Sequence, residues 1–187
     1  MRMTPRFLLV TLAWWFLSPS ALAVEVLDRK FDVSGNEYRI ELTFRVHAPI
    51  DTVWSYLTDY NALHRYSEAI RESRVVSRSG DRVEVESTVR RCVLIFCRTI
   101  RRHEWVTEQH PERIHAEIDP NESDLRAGST HWELQPVAGA TRLTVHMRIV
   151  PDFWVPPFIG PSSIRRSTVR ETTAMLRFIE RNAHANP

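Results

Sequence analysis

From Tyr38 to Val46 the chain alternates without a break: Tyr38, Ile40, Leu42, Phe44 and Val46 are apolar, while Arg39, Glu41, Thr43 and Arg45 are polar. A period of two sends the two sets to opposite faces, so the spacing predicts a strand with one buried and one wet face. The period then changes. Pro49 can open a helix, Asp51 suits its positive end, and Ile50, Val53, Trp54 and Leu57 recur at helical spacing until Asp59, Tyr60 and Asn61 break it. A short second helix is expected over 63–70. Strands are expected at 71–78 and 82–91, divided by Ser79, Gly80 and Asp81, then at 98–108, stopped by His110 and Pro111, and at 113–119. Two more are expected at 127–136 and 141–150; in the second, Leu143, Val145, Met147 and Ile149 alternate with Arg142, Thr144, His146 and Arg148. A loop carrying Pro151, Pro156, Pro157 and Pro161 leads to a final helix at 162–182, where Ile164, Thr168, Met175, Leu176 and Ile179 lie on one side.

The order is therefore strand, short helices, six strands, long helix, an α+β arrangement. Seven consecutive antiparallel strands with a wet outer face need their apolar face covered, and the terminal helix is the one element long enough to do it. A curved sheet wrapped around that helix follows. Such a grip leaves a space between sheet and helix unless large side chains fill it, and that space is the natural ligand site.

The first residues change the picture of where this domain works. Arg2 and Arg6 give a cationic start, Phe7 to Leu17 is apolar but for Thr11, and Ala21, Leu22 and Ala23 form a small-x-small cleavage site. Residues 1–23 thus read as a secretory signal peptide, 24–35 as a lead-in and 36–183 as the ligand-binding domain. The apolar run is too short for the roughly 20 residues of a membrane-spanning helix. Cleavage after Ala23 leaves 164 of the 187 residues, and the product is expected in the periplasm or outside the cell, as a monomer. Losing Arg2 and Arg6 takes the 25 Lys and Arg to 23, level with the 23 Asp and Glu, so no nucleic-acid partner is implied. Export also bears on Cys92 and Cys97, because disulfides persist in oxidising compartments. They are expected to be joined.

The element order, together with His47-Ala48-Pro49-Ile50-Asp51-Thr52-Val53-Trp54-Ser55-Tyr56-Leu57-Thr58-Asp59-Tyr60, resembles the START-like superfamily of polyketide cyclases and lipid-transfer proteins, and within it the coenzyme Q-binding, cyclase/dehydrase-type branch. Gly128-Ser129-Thr130-His131-Trp132-Glu133-Leu134, the following Thr141-Arg142-Leu143 and the terminal helix are similar too, so the resemblance spans about residues 36–182. It implies a helix-grip fold with a deep apolar cavity for lipids, isoprenoid quinones, sterols or aromatic polyketides. It brings no universal catalytic residue. The chain departs from cytosolic and mitochondrial members by its export signal and its cysteine pair.

Arg90-Arg91-Cys92-Val93-Leu94-Ile95-Phe96-Cys97-Arg98 lies where two strands must reverse, and four apolar residues at a hairpin tip are unusual because loops run through water. Closed by a disulfide, the tip would present Val93, Leu94, Ile95 and Phe96 as a finger for transient membrane contact; the alternative is a strand end packed on the second apolar loop, Phe153 to Ile159. Trp154 and Phe158 of that loop are membrane-contact candidates, or cover for one end of the core. Pairing Cys92 with Cys97 also sets a register: 90 opposite 99, 88 opposite 101, 86 opposite 103 and 84 opposite 105. Glu86, His103 and Arg101 then form a charge cluster facing solvent. Arg102 and Glu104 fall on the otherwise apolar face, where charges are expected to pair with each other or hold a polar ligand head.

Eight histidines form no helical ligand spacing, and His103, His115, His131 and His146 fall on polar strand faces, so no metal or cofactor is assigned. Trp105 and Trp132 read as packing residues. The expected cavity wall comprises Phe44, Val85, Ile100, Trp132, Leu143, Val145, Met147, Met175 and Ile179, with Arg102 and Glu104 as its polar members. The partner implied is a hydrophobic small molecule or lipid. A cyclase or dehydratase working on the same cavity, and a non-catalytic factor binding a protein through its two apolar loops, are the competing readings; a roomy cavity with a buried acid favours the first, a cavity filled by Trp and Phe the second.

Overall fold

In a computed structural model, which describes residues 23–93 and 96–185, the strands are β1 (Glu25–Ser34), β2 (Glu37–Val46), β3 (Ile70–Ser79), β4 (Arg82–Val93), β5 (Phe96–Gln109), β6 (Arg113–Ile118), β7 (Leu125–Val137) and β8 (Ala140–Pro151). The helices are α1 (Ile50–Leu57), α2 (Leu63–Tyr66) and α3 (Gly160–Ala185). One antiparallel sheet takes all the described strands in the order β1-β2-β8-β7-β6-β5-β4-β3, so β2, the clearest strand in the sequence, lies beside β8, the last strand along the chain. That closure brings the two chain halves together and bends the sheet around α3. Of the expected signal segment, 1–23, residues 1–22 lie outside the described residues.

The sheet has eight strands rather than seven, because the lead-in is itself a strand. β1 pairs with β2 from Glu25↔Arg45 to Ser34↔Glu37, with a bulge between Val26 and Asp28. The bulge breaks the period of two that makes a strand visible, and an edge strand with most side chains exposed has little apolar signal to offer. The second helix is also shorter than expected, four residues, since Ile70 already pairs with Val89 in β3.

The hairpin register is the one the cysteines imply. Cys92 is bonded to Cys97, and Arg90↔Thr99, Thr88↔Arg101, Glu86↔His103 and Glu84↔Trp105 face one another. Val83, Val85, Val89, Ile100 and Val106 are consequently buried on the concave face.

Two side chains of α3 fasten it to that face. Leu176 and Ile179 are 0 % exposed and share a cluster with Leu42, Phe44, Leu143 and Val145 of β2 and β8 and with Val53 and Trp54 of α1. Next to Ile179, the buried carboxylate of Glu180 accepts a hydrogen bond from the His47 backbone N–H at 2.8 Å and lies 2.8 Å from His47 Nδ1. Beside it, the buried Thr141 hydroxyl donates to the Ala48 carbonyl at 2.7 Å. These bonds satisfy backbone groups where β2 turns into α1, at the point where the helix must meet the sheet.

Glu180→Ala leaves the His47 N–H without its partner and is expected to destabilise the protein by about 1–3 kcal/mol. Thermal unfolding reads this as a fall of several degrees, at about 2–4 °C per kcal/mol for a chain of this size. Tyr60 supplies a second test. Its buried hydroxyl has no hydrogen-bond partner, and burial, with the Glu108 carboxylate adding to it, pushes its pKa up; burial does the same to Tyr66. Both stay protonated in the native state at pH values where the unfolded chain ionises, so stability is present in full below about pH 10 and falls above it, by up to about 1.4 kcal/mol per pH unit per tyrosine. Arg91, lowered to about 10, acts with the opposite sign and offsets part of that loss. Tyr60→Phe is expected to match or exceed the parent at pH 7 and to lose stability more slowly above pH 10; denaturant unfolding curves across pH 8–11.5 check this, and parallel declines refute it.

Candidate functional site

The sheet-facing side of α3 changes character along its length. Its second half carries Leu176 and Ile179, which fill the space beneath them, but its first half faces the sheet with Ser163, Ile164, Ser167, Thr168, Glu171, Thr172 and Met175. Mostly short side chains cannot reach across, and a cavity of about 780 Å³ remains between α3 and the concave face. Val85 and Val89 of β4, Ile100 and Val106 of β5, Ile114 and Ala116 of β6, Trp132 of β7 and Met147 of β8 form its wall. Gly128 lies in the floor, where an added Cβ would come 2.9 Å from Ile118 Cγ1 and 3.3 Å from the Arg148 carbonyl oxygen. The close approach of β7 to its neighbours there needs glycine.

Of the residues expected in the wall, Val85, Ile100, Arg102, Glu104, Trp132, Met147 and Met175 line it. Phe44, Leu143, Val145 and Ile179 do not; all four are 0 % exposed and belong to the packed end under Leu176. Strand alternation identifies the inward face of β2 and β8 but not how far along each strand the helix descends onto it, and that descent separates core from cavity.

Two ion pairs interrupt the apolar wall. Arg102 and Glu104, two residues apart on the inward face of β5, meet at 2.8 Å between Nη2 and Oε2, and Arg102 Nε donates to Ser87 Oγ at 3.2 Å. The second pair went unrecognised in the sequence: Arg91, near the end of β4, meets Glu171 of α3 and so joins the hairpin to the helix across the cavity. Burial lowers the Arg91 guanidinium to about 10, with the positive charges of Arg102 and Arg170 contributing. It remains a cation at neutral pH. The signal that could have found it is the helical phase of α3, which puts Glu171 on the same side as Thr168 and Met175.

The mouth is bounded by the disulfide and by the loop before α3. Cys92, Cys97, Phe153, Trp154, Val155, Pro156 and Ile159 line it, and Arg98 stacks on Phe153 with the guanidinium carbon 4.2 Å from the ring centre. Trp154 is 78 % and Phe158 96 % exposed, the largest apolar exposures among the described residues. Of the expected finger, Val93 and Phe96 end the two strands as a pair, and Leu94 and Ile95 lie outside the described residues.

The outer face departs from expectation at one histidine. His115, His131 and His146 sit side by side across β6, β7 and β8 and are partly or largely open to solvent, as expected. His103 is instead only 4 % exposed, because the 119–124 turn folds over it: the Asp119 N–H donates to the His103 carbonyl at 2.8 Å, and the His103 N–H donates to Ser123 Oγ at 2.9 Å. Trp105, next but one along the strand, packs under Arg82, 4.6 Å from its ring centre.

A family described as polyketide cyclase / dehydrase and lipid transport matches residues 37–183. No curated protein sequence matches the chain. Among solved structures, the Zhui aromatase/cyclase of Streptomyces sp. R1128 is similar with a TM-score of 0.64 and 15 % identity over 79 % of this chain and 94 % of that one. A START superfamily protein of Mycobacterium smegmatis has a TM-score of 0.64 and 15 % identity over 77 % and 97 %. A STAR-related lipid transfer protein of Xanthomonas axonopodis has a TM-score of 0.60 and 13 % identity over 81 % and 98 %. At such identities these likenesses speak for the helix-grip fold, an antiparallel sheet curved around a long terminal helix. With the family match covering β2 through α3, the chain belongs to the polyketide cyclase / dehydrase and lipid transport family.

Proposed function

We propose that the protein is an exported binding or transfer protein of the cell envelope, carrying a lipid, isoprenoid or sterol-like molecule between sheet and α3. The observation that carries this reading is the cavity itself. Its 780 Å³ falls in the range of about 300–1,000 Å³ typical of small-molecule sites, and its wall is mostly aliphatic and aromatic, with the two ion pairs and the hydroxyls of α3 as its central polar groups and Ser129, Thr130 and Arg148 beside them. Apolar burial would supply the affinity, at about 25 cal/mol per Å². Arg102, Glu104, Arg91 and Glu171 would meet the polar end of the ligand. Because each cation faces an acid, they suit a head that both donates and accepts hydrogen bonds rather than a bare anion. The signal-like leader and the disulfide support an oxidising compartment.

Arg102 and Glu104 also favour a second reading, a cyclase or dehydratase in which a buried carboxylate beside a guanidinium moves a proton on the bound molecule. A protein-binding factor with a filled cavity has no such support, since Trp132 lines an open space rather than plugging it.

Native mass spectrometry with solvent extraction of the oxidised protein, purified from the envelope, is expected to find one hydrophobic molecule per chain. Ala116→Trp, which puts an indole into the cavity, is expected to abolish its recovery with little change in melting temperature. No ligand under conditions that preserve a control lipid carrier, or equal recovery from the variant, would sink the carrier reading. Glu104→Gln separates the two readings: a carrier keeps its ligand within a few-fold, whereas an acid–base enzyme loses turnover of a polyketide-like substrate by about 10²–10⁴.

Delivery needs a docking face, and Trp154 and Phe158 beside the mouth are placed for it. Burying a large apolar side chain contributes about 1.5–3 kcal/mol. Replacing both by serine is therefore expected to weaken binding to phosphatidylglycerol/phosphatidylethanolamine vesicles at least tenfold, at unchanged melting temperature, in a flotation assay. Equal binding by the double variant would remove membrane docking through this loop.

A further inference from the structure

The burial of His103 has no role in the cavity, which lies on the opposite side of the sheet. Its imidazole stands among three carboxylates on the convex face, with Glu84 Oε1 2.9 Å from Nε2, Glu122 Oε2 3.0 Å from Nδ1 and Glu86 Oε1 3.8 Å from Nδ1. The side chain is 6 % exposed, yet Nδ1 has no hydrogen-bond partner: the approach of Glu122 is close but not aligned as a hydrogen bond requires. With Glu84 against Nε2, Nδ1 is the ring atom that faces the two further carboxylates, Glu122 and Glu86.

We propose that Glu86, His103 and Glu122 form a binding site for one divalent transition-metal ion of the zinc type. One ligand atom from each falls within 4.8 Å of the others. With metal–nitrogen and metal–oxygen bonds of about 2.0–2.2 Å, ligand atoms of a tetrahedral site lie about 3.3 Å apart, which small rotations of Glu86 and Glu122 would reach. A nitrogen and two carboxylate oxygens are a zinc-type donor set, and a water would complete four-coordination.

The outer contacts have the arrangement that metal ligands need. Glu84 holds Nε2 and is itself fixed through Oε2 by Ser77 Oγ at 2.6 Å. Arg74 Nε donates to Glu86 Oε2 at 2.9 Å, which leaves Oε1 on the metal side. Arg101, another cation nearby, has its guanidinium 3.7 Å from Asp124 Oδ1. Three carboxylates against Arg74 leave two negative charges for a divalent cation to neutralise. Glu122 belongs to the 119–124 turn, so the ion would clamp that turn onto β4 and β5.

The test is equilibrium dialysis of the full, oxidised protein against Zn²⁺ in metal-free buffer, with the bound metal counted and melting temperature followed. One Zn²⁺ per chain is expected, together with a zinc-dependent rise in melting temperature. Glu122→Gln, at a side chain 62 % exposed and so tolerated by the fold, is expected to weaken binding at least tenfold and to remove that rise; Glu86→Gln is expected to do the same. His131→Asn, in the separate row of solvent-facing histidines, is expected to change nothing. Absence of bound zinc, binding indifferent to Glu122→Gln, or binding lost in His131→Asn overturns the assignment.

Discussion

Everything in this fold depends on where α3 touches the sheet and where it does not. Leu176 and Ile179 bury completely against β2, β8 and α1, and the Glu180 carboxylate beside them satisfies the His47 backbone at the turn into α1. Each apolar side chain so buried contributes roughly 1.5–3 kcal/mol, and the Glu180 bonds give the contact a direction as well as an area. With one end of the helix held in this way, the other end need not be packed for the domain to be stable. Residues 163–175 face the sheet mostly through hydroxyls and a paired carboxylate, and the cavity is the space those short side chains leave. Core and site are thus two halves of one helix, divided between Met175 and Leu176.

The same division explains what could be read from the sequence. Strand alternation depends on one face being buried, whether by core or by a ligand, so β2 and β8 are legible throughout, and so is the inward side of β4 and β5. It carries no information on depth, which is why Phe44, Leu143, Val145 and Ile179 belong to the core although they share faces with cavity residues. β1 escaped because a bulge interrupts its period at the edge of the sheet, where burial is least. The Arg91–Glu171 and His47–Glu180 pairs join residues 80 and 133 positions apart; the helical phase of α3 gives the face of Glu171, but no local pattern names the partner it meets. Arg102 and Glu104 were legible because the disulfide fixes a register and two residues on one strand share a face.

Both ion pairs in the cavity sit where charge is costly. A buried pair recovers its desolvation only in good geometry, and an apolar pair of similar volume would often serve stability as well or better. The fall of Arg91 to about 10 records that cost, since burial is its chief cause, yet the group stays charged at neutral pH. Charge maintained at such expense in a wall otherwise suited to hydrocarbon is better accounted for by what the cavity would hold than by what the fold requires. It also ties the hairpin to α3 at the mouth, so the polar end of a ligand and the closing of the cavity would act on the same contact.

The two faces of β5 place unlike chemistry within a single residue of each other. Arg102 and Glu104 point into the cavity while Arg101, His103 and Trp105 point outward, and the backbone carries both sets with no freedom to move one alone. A slip of one residue would put His103 and Trp105 inside and strand the charges in solvent. The Cys92–Cys97 bond opposes that slip at the tip of the hairpin, and a cation joining Glu86 of β4 to His103 of β5 and Glu122 of the covering turn would oppose it from the middle. On this argument the disulfide and the proposed metal site act alike: each holds β4 and β5 in the one register that keeps Arg102 and Glu104 in the cavity wall.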